Sequence, residues 1–216
     1  MGLGKTIQSL TYILWLRQEN AKDKTTGHKP ALIVCPKSVL DVWATEAEKF
    51  AKELRVKILR TKDDLNIDEA QNDLDMVVLN YAQLRVCGEE LNTIKWLTVI
   101  LDEGQQIKNP HSNAAKAARE LNASNRLVLT GNPIENRLMD MWSLMAFAMP
   151  GVLGTKAYSK KRFDKRKDPT SQSRLASRLR PFLLRRTKLQ VAKDLPPRTE
   201  EEVFAEMEGI QADLYK

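Results

Sequence analysis

The chain has 216 residues, 42% of them hydrophobic with four tryptophans, and a net charge of +7, values that support one sizeable core and exclude a disordered chain. No apolar run approaches the roughly 18 residues of a membrane span, and no charged-then-apolar leader opens the sequence, so a soluble chain without a membrane partner is expected. Cys35 and Cys87 stand apart from each other and from His28 and His111, which excludes a Cys/His metal site and fits a reducing compartment.

Met1-Gly2-Leu3-Gly4-Lys5-Thr6 opens the chain. Gly-Lys-Thr at the start of a helix is the end of a phosphate-binding loop. Backbone N–H groups and the helix N-terminus cradle phosphates, Lys5 reaches the β/γ oxygens and Thr6 ligates magnesium. A surface turn capping a helix is the alternative for the triplet alone. The full motif needs positions before Met1, so its first residues and the strand that feeds it are expected upstream. Thr6 to about Gln18 keeps Ile7, Leu10 and Leu14 on one helical stripe. Lys22–Lys29 reads as a polar loop, and Ala31–Cys35 as a short buried strand stopped by Pro36. Ser38 is the expected N-cap of a helix carrying Val39, Trp43, Ala47, Phe50 and Leu54. Arg55–Leu59 is a weaker strand, Asp68–Asp73 a short polar helix or turn, and Met76–Leu79 a buried strand ending at Asn80-Tyr81.

Leu97–Leu101 is an apolar strand that ends abruptly in Asp102-Glu103. A buried parallel strand delivers acids to a magnesium nucleotide in this way. Adjacent side chains on a strand end diverge, so Asp102 can hold the metal while Glu103 orients and deprotonates the water that attacks the γ-phosphate. Two solvated acids after a strand are the bland alternative. Ser112 caps an alanine-rich helix running through Leu121, Arg126–Leu129 makes a further strand ending at Thr130, and Ile134, Leu138, Met141, Trp142, Met145 and Met149 stripe the next helix. Strands alternating with amphipathic helices predict an α/β fold, a doubly wound mostly parallel sheet, with ligands at the carboxyl ends of its strands.

Residues 156–188 contain thirteen Lys/Arg against Asp164 and Asp168, a net +11 that leaves the rest of the chain at −4. The run is long, one-signed and interrupted by Phe163, Leu175, Leu179 and Phe182, which favours contact with a polyanion over a solvated face. Lys160, Lys161, Arg162, Lys165 and Arg166 are its candidate contacts. Leu195-Pro196-Pro197 then breaks the chain before an acidic, strand-like segment, Glu200–Phe204.

Six ordered blocks carry a family resemblance: Met1–Gln8; Pro36-Lys37-Ser38 with Trp43 and Glu46; Asn80-Tyr81; Asp102-Glu103-Gly104-Gln105 with Ile107–Pro110; Thr130–Asn136; and Pro181–Lys188. Together they resemble the first RecA-like lobe of the Swi/Snf-type DNA-dependent ATPases of helicase superfamily two, most closely the bacterial members. The resemblance covers nearly the whole chain. It implies that ATP and Mg2+ are bound by Gly2, Leu3, Gly4, Lys5 and Thr6, with Thr6 and Asp102 on the metal and Asp102, Glu103 and Lys5 in catalysis. It also implies that Gln105 and Thr130 relay nucleotide state, and that Pro36, Lys37, Ser38 and Tyr81 lie along a double-stranded DNA backbone read without base sequence. Asn132 departs from the threonine usual in its block, and the stretch from Gly154 to Pro181 is short.

By this resemblance residues 1–199 form the first lobe, with about 150–188 a basic helical protrusion and return, and 200–216 begin the connection to a second RecA-like lobe. That lobe supplies an arginine finger contributing roughly a thousandfold or more to turnover, so the isolated chain is expected to be nearly inactive. A bacterial member would be cytoplasmic and nucleoid-associated. The alternative function is a truncated, inactive fragment that binds nucleic acid or a partner through its basic run.

Overall fold

The structure, a computed structural model, describes residues 3–23, 25, 27–131, 138–163, 169–191 and 201. The chain divides into two compact units, residues 1–182 and 183–216. In chain order the first contains α1 (Lys5–Lys22), β1 (Ala31–Cys35), α2 (Leu40–Phe50), β2 (Val56–Leu59), α3 (Ile67–Asn72), β3 (Met76–Asn80), α4 (Tyr81–Val86) and α5 (Gly88–Thr93). It continues with β4 (Trp96–Leu101), α6 (Asn113–Glu120), β5 (Ala123–Val128), α7 (Leu138–Ala148), α8 (Lys156–Phe163) and α9 (Pro169–Leu179). Described in the second unit is α10 (Lys188–Val191), where the Thr187 amide donates to Gln190 Oε1 over 3.0 Å, a side chain reaching back to cap the helix start.

The five strands form one parallel sheet in the order β2-β3-β1-β4-β5. Successive side chains of a strand point to opposite faces, and both faces are covered. On one, Ala31, Ile33, Cys35, Met76, Val78 and Ile100 pack against Leu10 and Ile13 of α1 and Leu40, Trp43 and Ala47 of α2. On the other, Leu32, Val34, Val77, Leu79, Val99 and Leu101 pack against α4, α5, α6 and α7 through residues such as Leu84, Leu91, Ala115 and Phe147. Helices on both faces make this doubly wound and leave β1, β3 and β4 buried throughout, which is why those strands read as unbroken apolar runs. No helix among the described residues is long and apolar enough to cross a membrane.

Register fixes the functional edge. Leu59 pairs with Leu79, Leu79 with Val34, Val34 with Leu101 and Leu101 with Val128, so the carboxyl ends of all five strands are level. The residues just beyond that row, from one side of the sheet to the other, are Arg60, Asn80, Cys35, Asp102 and Leu129. Chain progress reverses direction between β1 and β4, the switch point at which open α/β sheets bind ligands.

Several local expectations need correction. Ser38 does not cap α2: Lys37–Val39 form a 3-10 turn, closed by the Val39 amide donating to the Pro36 carbonyl over 3.0 Å, and α2 starts only at Leu40. Phe50 and Met149, placed on apolar stripes, are exposed, and Leu54 is buried beyond the end of α2. The last strand occupies Ala123–Val128 rather than Arg126–Leu129. β4 ends at Leu101 as expected, but Asp102 and Glu103 follow it in a turn, so strand alternation does not set the directions of their side chains. Ser112 does cap α6, accepting the Ala115 amide over 3.2 Å. Ile134, Asn132 and the Leu195–Phe204 segment, Glu201 excepted, lie outside the described residues, as do Gly2, Lys165 and Arg166.

Candidate functional site

Gly4 adopts φ 71°, ψ 28° immediately before α1, a left-handed conformation that glycine takes without strain. The helix that follows has no side-chain cap and no acidic residue in its first turn. Its leading N–H groups, which lack intrahelical partners by construction, are therefore available to an anion. Gln8 Nε2 donates to the Leu3 carbonyl over 2.9 Å and ties the incoming loop to the second turn. Ser9 Oγ donates to the Lys5 carbonyl over 2.9 Å. Lys5 and Thr6 are half-buried, and α1 packs beside β4 through Leu10, Ile13 and Ile100.

Asp102 is held at four points. Its amide donates to the Val34 carbonyl over 2.8 Å, extending the β1–β4 pairing past the last strand residue, and its carbonyl accepts the Tyr81 hydroxyl over 2.8 Å. Oδ2 accepts Trp43 Nε1 over 3.0 Å and Oδ1 accepts the Glu103 amide over 3.0 Å. Neither oxygen faces a cation among the described residues. The carboxylate also acts on its surroundings. Burial and then the Asp102 charge push the Cys35 thiol up to about 12, and the same two causes, in that order, raise the Tyr81 phenol; both stay neutral beside it.

Glu103 is the one non-glycine residue with positive φ among those described, at φ 49°, ψ 53°. An ordinary side chain in the left-handed region costs about 1–2 kcal/mol, and the neighbouring geometry holds it there. Gly104 follows with its amide donating to the Leu129 carbonyl over 2.8 Å, and a Cβ built on Gly104 would lie 2.2 Å from Val128 Cγ1. The turn is thus pressed against β5, and Glu103 leaves it in a direction no strand end would give. Gln105 Nε2 donates to Glu103 Oε2 over 2.9 Å, and Gln105 Oε1 accepts the Thr130 hydroxyl over 3.0 Å. One amide therefore bridges the loop after β4 to the loop after β5. The turn continues into Ile107, whose carbonyl accepts the buried Ser143 hydroxyl of α7 over 2.6 Å.

A groove of 370 Å³ lies at the same edge, lined by Pro36, Lys37, Arg60, Asn80, Tyr81 and Gln106 among others. It gathers Pro36, Lys37 and Tyr81 as expected, whereas Ser38 is exposed and does not line it. Tyr81 is buried with its hydroxyl committed to the Asp102 carbonyl, so it links the groove to the acids through its ring and backbone. Asn80 caps α4 by accepting the Ala82 and Gln83 amides at 2.8 and 3.0 Å. Arg60, absent from the expected set, sits one residue past β2 and pairs with Asp41. The strand-end rule that picks out Pro36 and Asp102 picks out Arg60 equally well. Lys160, Lys161 and Arg162 are exposed on the last turn of α8 and do not line the groove.

No group of three or more His, Cys, Asp or Glu that could hold a metal occurs among the described residues. A magnesium ion taking Thr6 and Asp102 would draw its other ligands from phosphate oxygens and water, the usual arrangement for this hard, reluctantly dehydrated cation. A hydroxyl and a carboxylate are hard oxygen donors suited to that mode.

Residues 1–216 match the family model of the SNF2-related domain. The chain is 38% identical to the putative ATP-dependent helicase/translocase YwqA of Bacillus subtilis, all of this chain aligning with 24% of that protein. It is 35% identical to the TATA-binding protein-associated factor MOT1 of Saccharomyces cerevisiae, all of this chain aligning with 13% of it. Among solved structures it resembles the Sulfolobus solfataricus SWI2/SNF2 ATPase core in complex with dsDNA, with a TM-score of 0.79 and 36% identity over 91% of this chain and 41% of that one. The S. solfataricus core domain without DNA gives a TM-score of 0.77 and 37% identity. The chain spans about a quarter or less of the length of these curated relatives.

Proposed function

The chain belongs to the SNF2-related family, and from that premise we propose that it is the ATP- and DNA-binding first lobe of an ATP-dependent double-stranded DNA translocase. The observation that carries this reading is the hydrogen-bonded line Glu103–Gln105–Thr130 beside the fixed Asp102. It joins a candidate general base to the next strand's loop through a single side chain.

ATP is the substrate. The open N-terminus of α1 and the Lys5 ammonium meet its phosphates, and charge-assisted hydrogen bonds to phosphate are about twice as strong as neutral ones. Thr6 and Asp102 would hold magnesium, which would supply charge neutralisation for the phosphates. Glu103, with one oxygen held by Gln105, has the other available to accept a proton from the attacking water as the bond from the γ-phosphorus to the bridging oxygen breaks. Loss of the γ-phosphate changes what Glu103 accepts, and Gln105 carries that change to Thr130. Double-stranded DNA lies along the strand-end groove at Pro36 and Lys37, with Arg60 added to the expected set, and its contacts are to phosphate and shape. A second RecA-like lobe supplies the arginine that completes the site.

The direct test is magnesium-dependent binding of a fluorescent ATP analogue to this chain. Wild type binds, Lys5→Ala weakens binding by about tenfold or more through loss of a charge against the phosphates, and Glu103→Gln binds like wild type. Equal affinity of wild type and Lys5→Ala contradicts the assignment.

A further inference from the structure

Helices α8 and α9 enclose a pocket of 270 Å³ lined by Arg162, Phe163, Ser173, Arg174, Ser177 and Arg178. Ser173, Arg174, Ser177 and Arg178 occupy positions i, i+1, i+4 and i+5 of α9 and so share one helical face. Arg162 approaches from the last turn of α8. Three guanidinium groups and two hydroxyls therefore line one concavity, and no carboxylate lines it among the described residues.

Two of the arginines are held by aromatic faces rather than by acids. Arg178 lies over the Phe163 ring at 5.9 Å and Arg162 over the Tyr158 ring at 5.8 Å, and Tyr158 meets Phe163 edge-on at 6.5 Å. Phe163 is buried in a small core with Met145, Leu153 and Leu179, so the floor is anchored to α7. Ser171 Oγ donates to the Arg162 carbonyl over 2.9 Å and joins the two helices. None of the three arginines forms an ion pair among the described residues. Like charges one helical turn apart repel, and an anion shared between them converts that repulsion into binding.

We propose that this pocket is a seat for one backbone phosphate of nucleic acid, built by Arg162, Arg174 and Arg178 with the Ser173 and Ser177 hydroxyls. It is a discrete site rather than a share of the diffuse charge on residues 156–188. Lys160 and Lys161, adjacent in sequence to Arg162, do not line it. Planar forks that can hold phosphate bidentately set the arginines apart from lysine point charges. The inference rests on the reading of this chain as a DNA-binding lobe and adds a second contact to the strand-end groove.

The test measures duplex DNA binding by fluorescence anisotropy as a function of salt, on the whole chain, for wild type and three variants of verified helix content. Arg174→Gln/Arg178→Gln should lower the slope of log K against log salt by about 0.9, one phosphate contact, and weaken binding about eightfold at 0.1 M salt by the same relation. Arg174→Lys/Arg178→Lys should keep the slope and still lose affinity, because charge remains and the fork is gone. Lys49→Gln/Lys52→Gln, exposed at the carboxyl end of α2 and lining neither pocket, should leave the slope within experimental error of wild type. An unchanged slope in the arginine-to-glutamine variant, or wild-type affinity in the lysine variant, overturns the seat while the DNA reading stands. A wild-type chain that fails to bind duplex at any salt overturns the DNA reading and the seat with it.

Discussion

Glu103 and Thr130, on loops that follow neighbouring strands, are joined through the two ends of one amide: Gln105 donates to Glu103 over 2.9 Å and accepts from Thr130 over 3.0 Å. If this line transmits nucleotide state, breaking it separates binding from turnover. In a protein that pairs this lobe with a second, Gln105→Ala should leave ATP-analogue affinity within about twofold, since the bridge does not touch phosphate. It should cut DNA-stimulated phosphate release by about tenfold, the equivalent of one hydrogen bond of about 1.4 kcal/mol. Parallel binding and phosphate-release assays decide it, and loss of affinity in step with rate would make Gln105 a binding residue.

Gly104 gives the turn its direction because β5 leaves no room for a side chain. Its added methyl would meet Val128 Cγ1 at 2.2 Å, so Gly104→Ala should cost about 1–3 kcal/mol as an overpacked site. Removing the obstruction tests the cause: Gly104→Ala with Val128→Ala should be less destabilised than the sum of the two single variants. Urea unfolding of all four proteins measures that coupling, and simple additivity would place the strain elsewhere.

At the opposite edge of the sheet Asp75, whose side chain is 1% exposed, receives Arg55 through Nε at 3.0 Å and its amide at 2.9 Å, and Arg17 at 2.8 Å. Burial, the largest single influence, pushes the carboxyl upward, yet the Arg55 hydrogen bonds and the two guanidinium charges together hold it below the ordinary range. Stability from this group is therefore fully present above the unfolded value of about 3.9 and is lost as pH falls through the lower folded value. Asp75→Asn should cost about 2 kcal/mol at neutral pH, the scale of hydrogen bonds to a charged group. It should also flatten the loss of stability below about pH 4 relative to wild type. Thermal melts across that range would refute the network if both proteins lose stability in parallel.

Thr98 is fully buried in the middle of β4, and its hydroxyl has no partner among the described residues. Replacing a buried unsatisfied hydroxyl by a methyl group of the same shape removes a desolvation penalty, so Thr98→Val should stabilise the chain by about 1 kcal/mol. A lower urea midpoint for the variant would mean that the hydroxyl is satisfied after all.

Where burial alone decides structure, the sequence is transparent. Ala31–Cys35 is read to the residue and Met76–Asn80 to within one, because strands covered on both faces leave no polar interruption. The start of edge strand β5 is misplaced by three residues because the polar Ser124 and Asn125 mask it, although Asn125 donates to the Leu97 carbonyl inside the fold. Helices α4 and α5, with Cys87 between them, are two short turns whose periodicity is too brief to register. At the site, Lys5, Asp102 and Gln105 stand out through motif spacing. The left-handed backbone of Glu103 does not, because it depends on β5 lying beside the turn, and only register reveals that; Arg60 belongs to no motif, but the end of the strand before it could have marked it.

The central claim is that Lys5, Thr6, Asp102 and Glu103 form one ATP-hydrolysing site that works when a second RecA-like lobe closes on it. The most direct measurement is DNA-dependent phosphate release, beside nucleotide affinity, for a two-lobed protein carrying this lobe and for its Glu103→Gln and Lys5→Ala variants. The account predicts DNA-stimulated turnover in the unmutated protein. Glu103→Gln should abolish turnover with affinity retained, because the near-isosteric amide cannot take the proton of water, and Lys5→Ala should lose affinity itself. Turnover that survives Glu103→Gln, or a two-lobed protein inert with DNA present, would contradict it.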